Sequence, residues 1–201
     1  MSTVIRTHFV RGLFVVGSAL STPTAHAQTH VLERSGVTAS YGRALAAGSL
    51  SCDSCATNPM QIGWGGRLSF GYAVRHNMVV AVELEGGGSD RGPGWRGMTW
   101  STLAVQWYPR DASGWFAKLG VGPTFGAIGT RATANSPYQY SRGRGGTLGI
   151  GYDHYVFRVV SMTPYATLGW STHNTLRSSR GESSVRFGGS ALHVGLAIAV
   201  H

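Results

Sequence analysis

Several segments of this chain alternate between apolar residues and small or polar residues with a period of two. This alternation predicts β-strands, because successive side chains of a strand point to opposite faces. In residues 61–74, Leu68 and Phe70 share one face, whereas Arg67 and Ser69 lie on the other. The same pattern predicts eight strands, at residues 36–45, 61–74, 78–86, 98–108, 115–126, 145–153, 160–170 and 189–201.

The connections between these segments alternate in length along the chain. They cover residues 46–60, 75–77, 87–97, 109–114, 127–144, 154–159 and 171–188. Such alternation is typical of outer-membrane barrels, which have short periplasmic turns and longer extracellular loops, and strands of about 9–11 residues suit a tilted membrane span. The sequence therefore predicts an all-β fold, an eight-stranded antiparallel up-and-down transmembrane β-barrel.

The two faces of the predicted strands differ in a way that indicates their orientation. The face rich in Gly, Ala, Ser and Thr could not cover a water-exposed exterior, which usually carries many charges, but it could fill a narrow barrel. We therefore expect the bulky apolar face to meet lipid. Aromatic residues towards the strand ends should form girdles at the membrane interfaces. They are Trp64, Tyr72, Trp107, Trp115, Tyr152 and Trp170.

Few charged residues fall within the predicted strands, and they lie mostly on the inward face. Because buried charges persist only when they are paired, we expect Arg67 and Lys118 to neutralise Glu83, Glu85 or Asp153 in a lumen network. Such a network could plug and stabilise the barrel, or it could line a gated polar path for small solutes. The plug is favoured, because side chains nearly fill an eight-stranded barrel.

Composition supports the β-barrel and excludes several other classes. Of 201 residues, 30 are Gly and only 12% are charged, which disfavours a helical bundle and a disordered chain. The net charge of +9 comes from scattered arginines and a single lysine, so no basic arm for nucleic acid is expected.

The first 27 residues have the three parts of a cleaved secretory signal. Arg6 and Arg11 precede a short apolar core at 12–20, and Ala25-His26-Ala27 forms an A-x-A cleavage site. We therefore expect residues 1–27 to be removed and residues 28–201 to form the barrel domain. No stretch in the remainder is apolar and long enough for a helical membrane span.

Candidate chemistry is sparse. Cys52 and Cys55 form the only cysteine pair, and a local disulfide in the first long loop is expected after export, with metal binding and redox activity as weaker alternatives. Ser171, His173 and Glu182 lie together in the last predicted loop, but their spacing matches no catalytic motif. No catalytic residue, metal site or cofactor is therefore expected.

Arginines in the predicted long loops suggest one class of partner. If these loops face outward, the guanidinium groups would lie over lipopolysaccharide phosphates, which Arg binds well; simple solvation is the alternative. The residues concerned are Arg91, Arg96, Arg131, Arg142, Arg144, Arg177, Arg180 and Arg186.

The chain resembles a known family in several motifs. Trp107-Tyr108-Pro109, the Gly-alternating segment 114–122, the stretch Gly149 to Asp153 and the closing strand 192–201 are similar to those of small outer-membrane protein β-barrel domains, the OmpA-like and OmpX-like barrels. The resemblance covers residues 31–201 and implies an outer-membrane location in a Gram-negative-type bacterium, folding by the barrel-assembly machinery and a monomeric state. The closing strand departs from the family, because it has Val200-His201 where members usually have Phe or Trp.

The family hosts many roles, so fold does not decide function. We predict a non-enzymatic protein with a structural or surface-interaction role and a plugged polar lumen. A small porin-like channel is the first alternative. An outer-membrane lipid-modifying enzyme, which would need a Ser/His pair near the membrane rim, and a soluble ligand-binding barrel are further ones.

Overall fold

The computed structural model describes residues 34–52, 60–90, 94–110, 113–130, 139–178 and 181–201. Among these residues there is no helix that is long and apolar enough to span a membrane. The described residues form nine β-strands: β1 Gly36–Cys52, β2 Gln61–Arg75, β3 Met78–Ser89, β4 Gly94–Trp107, β5 Trp115–Thr130, β6 Gln139–Tyr152, β7 His154–Phe157, β8 Val160–Ser178 and β9 Gly181–Val200.

Eight of these strands close into an antiparallel up-and-down barrel. Strands β1 to β6 pair in chain order, β6 pairs with β8, β8 with β9, and β9 with β1, which completes the ring. The short β7 pairs only with the start of β8, outside the ring. Closure gives every strand of the ring two neighbours, so the barrel has no free edge.

The strand register fixes the shape of the barrel. The chain of paired residues that starts at Ala39 runs once around the barrel and returns to β1 at Ser49, ten residues further along. With ordinary strand spacings, this shear tilts the strands by about 40° from the barrel axis. A barrel of eight strands at this tilt encloses a space that side chains can fill.

Side-chain burial follows the alternation, with the bulky residues outside. On β3, Glu83 and Glu85 are buried in the interior, whereas Val82 is 60% exposed and Leu84 48% exposed. On β9, His193 and Ala197 are buried, whereas the large apolar residues between them are exposed. This distribution is the inverse of that in a water-soluble barrel, where apolar side chains fill the core.

Aromatic side chains mark the two edges of this apolar belt. Tyr72, Trp107, Trp115 and Tyr152 point outward near the end of the barrel that carries the short turns, and the rings of Trp115 and Tyr152 pack 5.1 Å apart. Trp64 and Trp170 also point outward, but nearer the opposite end of the barrel. Trp64 and Tyr72 are eight residues apart on β2, which corresponds to about 20 Å along the barrel axis. The six residues predicted for the girdles thus lie at two levels, and we call Tyr72, Trp107, Trp115 and Tyr152 the lower aromatic ring and Trp64 and Trp170 the upper aromatic ring.

The strands extend beyond their predicted ends at the upper side of the barrel. The predicted loop 171–188 is mostly paired strand, because β8 runs to Ser178 and β9 begins at Gly181. The prediction of these strand ends was wrong, since the apolar alternation stops at the upper aromatic ring while backbone pairing continues beyond it. The predicted long loops therefore lie at one end of the barrel, and their described residues are largely parts of β-hairpins.

One short turn also differs from the prediction. Residues 154–159 were expected to form a turn, but His154–Phe157 is strand β7, and the turn comprises Arg158 and Val159. Asp153 separates β6 from β7, and β7 forms a short hairpin with the start of β8 outside the ring.

Candidate functional site

Small side chains and glycines let the strands pack closely around the interior. A Cβ atom on Gly120 would lie 2.7 Å from the hydroxyl oxygen of Thr147 and 2.8 Å from that of Thr102. A Cβ atom on Gly169 would lie 2.7 Å from the indole of Trp100. The interior therefore has little free volume, and its contents decide what the barrel can do.

An ion-pair network crosses the middle of the lumen. The Arg67 guanidinium donates to Glu83 Oε1. Lys118 Nζ donates to Glu83 Oε2 at 2.8 Å and to Glu85 Oε2 at 2.9 Å. All four residues are at most 3% exposed. The two positive and two negative charges balance, as buried charges require.

The alternation within strands explains how these four residues meet. Glu83 and Glu85 are two residues apart on β3, so both point inward, and Arg67 on β2 is paired with Glu85 in the strand register. Lys118 lies on β5, and its side chain reaches β3 across the lumen. The structure thus brings together four of the five residues predicted for the lumen network.

Neutral polar groups extend the network to further strands. Gln106 Nε2 donates to Glu83 Oε1 at 3.0 Å. The Glu85 carboxylate accepts a hydrogen bond from Nδ1 of His193 at 3.1 Å, which assigns the proton of a neutral His193 to Nδ1. The path from His193 through Glu85, Lys118 and Glu83 to Arg67 joins strands β9, β3, β5 and β2.

Trp100 covers this network on the upper side. Its ring is 1% exposed and contacts His193 edge-on, with ring centroids 5.6 Å apart, and its indole N–H donates to the carbonyl of Trp170 at 2.9 Å. Above it, a cavity of about 40 Å³ opens between glycines of β2, β3 and β4. This space is large enough for a few water molecules only.

Asp153 belongs to a second cluster at the end of the barrel that carries the short turns. Its carboxylate accepts hydrogen bonds from Tyr108 at 2.8 Å and from Thr163 at 2.7 Å. The guanidinium of Arg34 stacks 3.6 Å from the Tyr108 ring centroid and donates to the carbonyl of Ser113. Burial and the Asp153 carboxylate raise the pKa of Tyr108 well above its usual range, so its hydroxyl remains a donor. Because Asp153 follows the last residue of β6, it lies at the barrel mouth, and Arg67 and Lys118 do not bind it.

A Ser/His pair also occurs at this mouth. Ser161 Oγ lies 2.9 Å from Nε2 of His201, and Asp153 Oδ2 lies 3.8 Å from the same nitrogen. In a catalytic triad the carboxylate binds the other ring nitrogen and the serine is accessible, whereas Ser161 is fully buried. Burial lowers the pKa of His201, so the ring favours its neutral form. The geometry is that of a structural hydrogen bond at the mouth.

The other candidate chemical groups are only partly described. Ser171 hydrogen-bonds Thr124 at 2.7 Å, while His173 and Glu182 lie on β8 and β9 with side chains outside the described part of the structure. Cys52 ends β1, and Cys55 lies outside the described residues, so the predicted disulfide stays a prediction. No group of three or more His, Cys, Asp or Glu side chains able to hold a metal ion occurs among the described residues.

The arginines assigned to loops lie mostly on strands. Arg142 and Arg144 are exposed on the outer face of β6, and the Arg142 guanidinium lies 6.0 Å from the ring centroid of Phe125. Arg96 lies on β4, Arg177 on β8 and Arg186 on β9. Arg91, Arg131 and Arg180 lie outside the described residues.

Comparison with known proteins supports the fold. No family model and no curated protein matches the chain. Among solved structures, Neisserial surface protein A (NspA) matches with a TM-score of 0.57 and 15% identity, over 83% of this chain and 97% of NspA. Ail of Yersinia pestis gives a TM-score of 0.48 at 12% identity over 81% and 99% of the two chains, and OprG of Pseudomonas aeruginosa gives 0.48 at 14% over 84% and 98%. The resemblance to small outer-membrane barrels is thus confirmed at the level of the fold.

Proposed function

We propose that this chain is an integral outer-membrane β-barrel protein of a Gram-negative-type bacterium. The support is the inverted polarity of the barrel: exposed apolar side chains form a belt about 20 Å high between two aromatic rings. Lipid is the solvent that such a surface fits, and the closed ring satisfies the backbone groups that lipid cannot. The short turns then lie in the periplasm and the long hairpins outside.

Within this membrane barrel, we propose a structural or surface-interaction role with a plugged lumen and no enzymatic activity. The observation that carries this proposal is the balanced network of Arg67, Glu83, Lys118 and Glu85, which links β2, β3 and β5 through buried ion pairs inside the lumen. A conducting pore would need a continuous water path, whereas here the polar groups bind one another. The barrel is then a rigid support for the external hairpins.

Conductance in planar bilayers tests the plug. The purified protein should give no discrete single-channel steps, because ion-paired side chains block the lumen. The variant Arg67→Ser/Glu83→Ser/Glu85→Ser/Lys118→Ser/Trp100→Ala serves as the positive control and should conduct, since it removes the long side chains of the network and the indole that covers it without leaving an unpaired charge. Discrete steps of the wild-type protein that disappear in Glu83→Gln would instead establish the porin-like alternative.

The outer surface suggests the partner. Arg142 and Arg144 project from β6 beyond the upper aromatic ring, at the level expected for lipid headgroups. Guanidinium groups at this level can form bidentate hydrogen bonds with phosphate oxygens of lipopolysaccharide. We propose that the barrel-assembly machinery inserts the chain as a monomer and that these arginines anchor it to the headgroup layer.

A further inference from the structure

One charged side chain lies within the apolar belt. Arg43 lies on the outward face of β1 together with Val37, Tyr41 and Leu45, which are 72%, 59% and 55% exposed. Arg43 is itself exposed, and it forms no hydrogen bond or ion pair with the described residues. On the lipid face of a barrel, an arginine near the bilayer midplane is destabilising unless its charge is satisfied. A charge in this position therefore requires an explanation.

The strand register gives the depth of Arg43. Arg43 pairs with Gly66, and Leu45 pairs with Trp64 of the upper aromatic ring. Arg43 thus lies two residues, about 7 Å along the strand, below the level of Trp64. A long arginine side chain can cover most of this distance by extending towards the headgroups. Its guanidinium can then reach the interface of the outer leaflet.

A depression in the barrel wall lies beside Arg43. Gly66 on β2 and Gly86 on β3 face outward without side chains, while Tyr41, Arg43 and Trp64 stand around them. The depression has a volume of about 570 Å³. Arg43 and Trp64 border the same space, which places a cation and an indole beside a depression that is otherwise lined by Tyr41 and glycines. A second depression lies on the other side of Trp64 and is lined by Asp90, whose negative charge disfavours an anion there. A negatively charged ligand therefore fits the depression beside Arg43 better.

The charge and depth narrow the choice of occupant. A symmetric contact with a second copy over this surface would bring two Arg43 side chains together in a low-dielectric medium, which is unfavourable. A soluble anion would not enter the belt. A lipid with a phosphorylated headgroup satisfies both features, because its acyl chain can fill the glycine depression while its phosphate binds the guanidinium.

We propose that Arg43, Trp64, Gly66 and Gly86 form a specific site for one phosphorylated glycolipid of the outer leaflet, the lipid A part of lipopolysaccharide. This inference rests on the proposed membrane location and orientation. The phosphate is bound by Arg43 near the level of Trp64, and an acyl chain lies over Gly66 and Gly86. The site is separate from Arg142 and Arg144, which lie on β6 rather than on β1.

Native mass spectrometry and a binding titration with lipid A in detergent test the site. The full chain should retain one tightly bound lipid A, and Arg43→Gln should weaken this binding at least tenfold. Arg158→Gln, the same change in an exposed short turn at the opposite end, should stay within twofold of the wild type. Lipid A without phosphates and phosphatidylglycerol should both bind at least tenfold more weakly.

Two results would overturn the inference. One is equal affinity of Arg43→Gln and the wild type for lipid A, and the other is equal binding of the phosphate-free lipid. Heat-modifiable gel mobility, measured on each sample, keeps this test apart from the proposed function. A folded, detergent-requiring barrel without the lipid preference contradicts only the Arg43 site, whereas a barrel that is soluble without detergent contradicts the membrane location itself.

Discussion

Replacement of Glu83 by glutamine should destabilise the barrel by about 3–5 kcal/mol, because it leaves an uncompensated positive charge in a buried network. Glu83 is fully buried and binds both Arg67 and Lys118, while Glu85 can neutralise only one of these two cations. The free energy of unfolding, from urea titrations of the protein in lipid vesicles followed by heat-modifiable mobility, measures the effect.

A second substitution separates charge balance from loss of packing. In Arg67→Met/Glu83→Gln the network is again neutral, with Lys118 bound to Glu85, so at least half of the lost stability should return. If the network merely fills space, the double variant should be less stable than Glu83→Gln. A loss below about 1 kcal/mol for Glu83→Gln would show that water solvates the lumen and that the plug is wrong.

Leu119→Arg should cost about 2–4 kcal/mol, because it places a charge on the lipid face of β5 within the apolar belt. Leu119 is 55% exposed, so in water the same change would be nearly neutral. The measurement is again the free energy of unfolding in vesicles, together with the fraction of protein that assembles.

Tyr140→Arg is the matched control for this substitution. Tyr140 is 45% exposed on β6, twelve residues from Tyr152 of the lower aromatic ring, which corresponds to about 30 Å along the axis and lies above the belt. Its cost should be about 0–1 kcal/mol. Equal stability of the two variants would contradict the assignment of the belt to lipid.

The period of two predicted the strands and their inward and outward faces, and the alternating lengths of the connections added the closed membrane barrel. It also identified Arg67, Glu83, Glu85 and Lys118 as inward charges, because few charges occur in the strands at all. Their partners depended on the register and on distances across the lumen, which no local pattern contains. Asp153 shows this limit: its parity is inward, but its position beyond β6 places it with Tyr108 and Thr163.

Trp100 and Arg43 were not predicted, and the reason is different. Trp100 shares parity with the inward Thr102 and Ala104, so the alternation of β4 could have placed it in the lumen. An indole in so narrow a barrel is accommodated because Gly169 lies across from it without a side chain. Arg43 has the outward parity of Tyr41 and Leu45, and the apolar pattern around it concealed a single charge. Both positions become evident only when every residue of a strand is assigned to a face.

Fractionation of cells that express the full chain shows whether the apolar outer belt of the barrel lies in a membrane. The protein should sediment with outer membranes, resist extraction by high salt, require detergent for release, and migrate differently on gels before and after heating. If high salt releases the protein without detergent and its mobility is the same heated and unheated, the outer belt does not lie in a membrane.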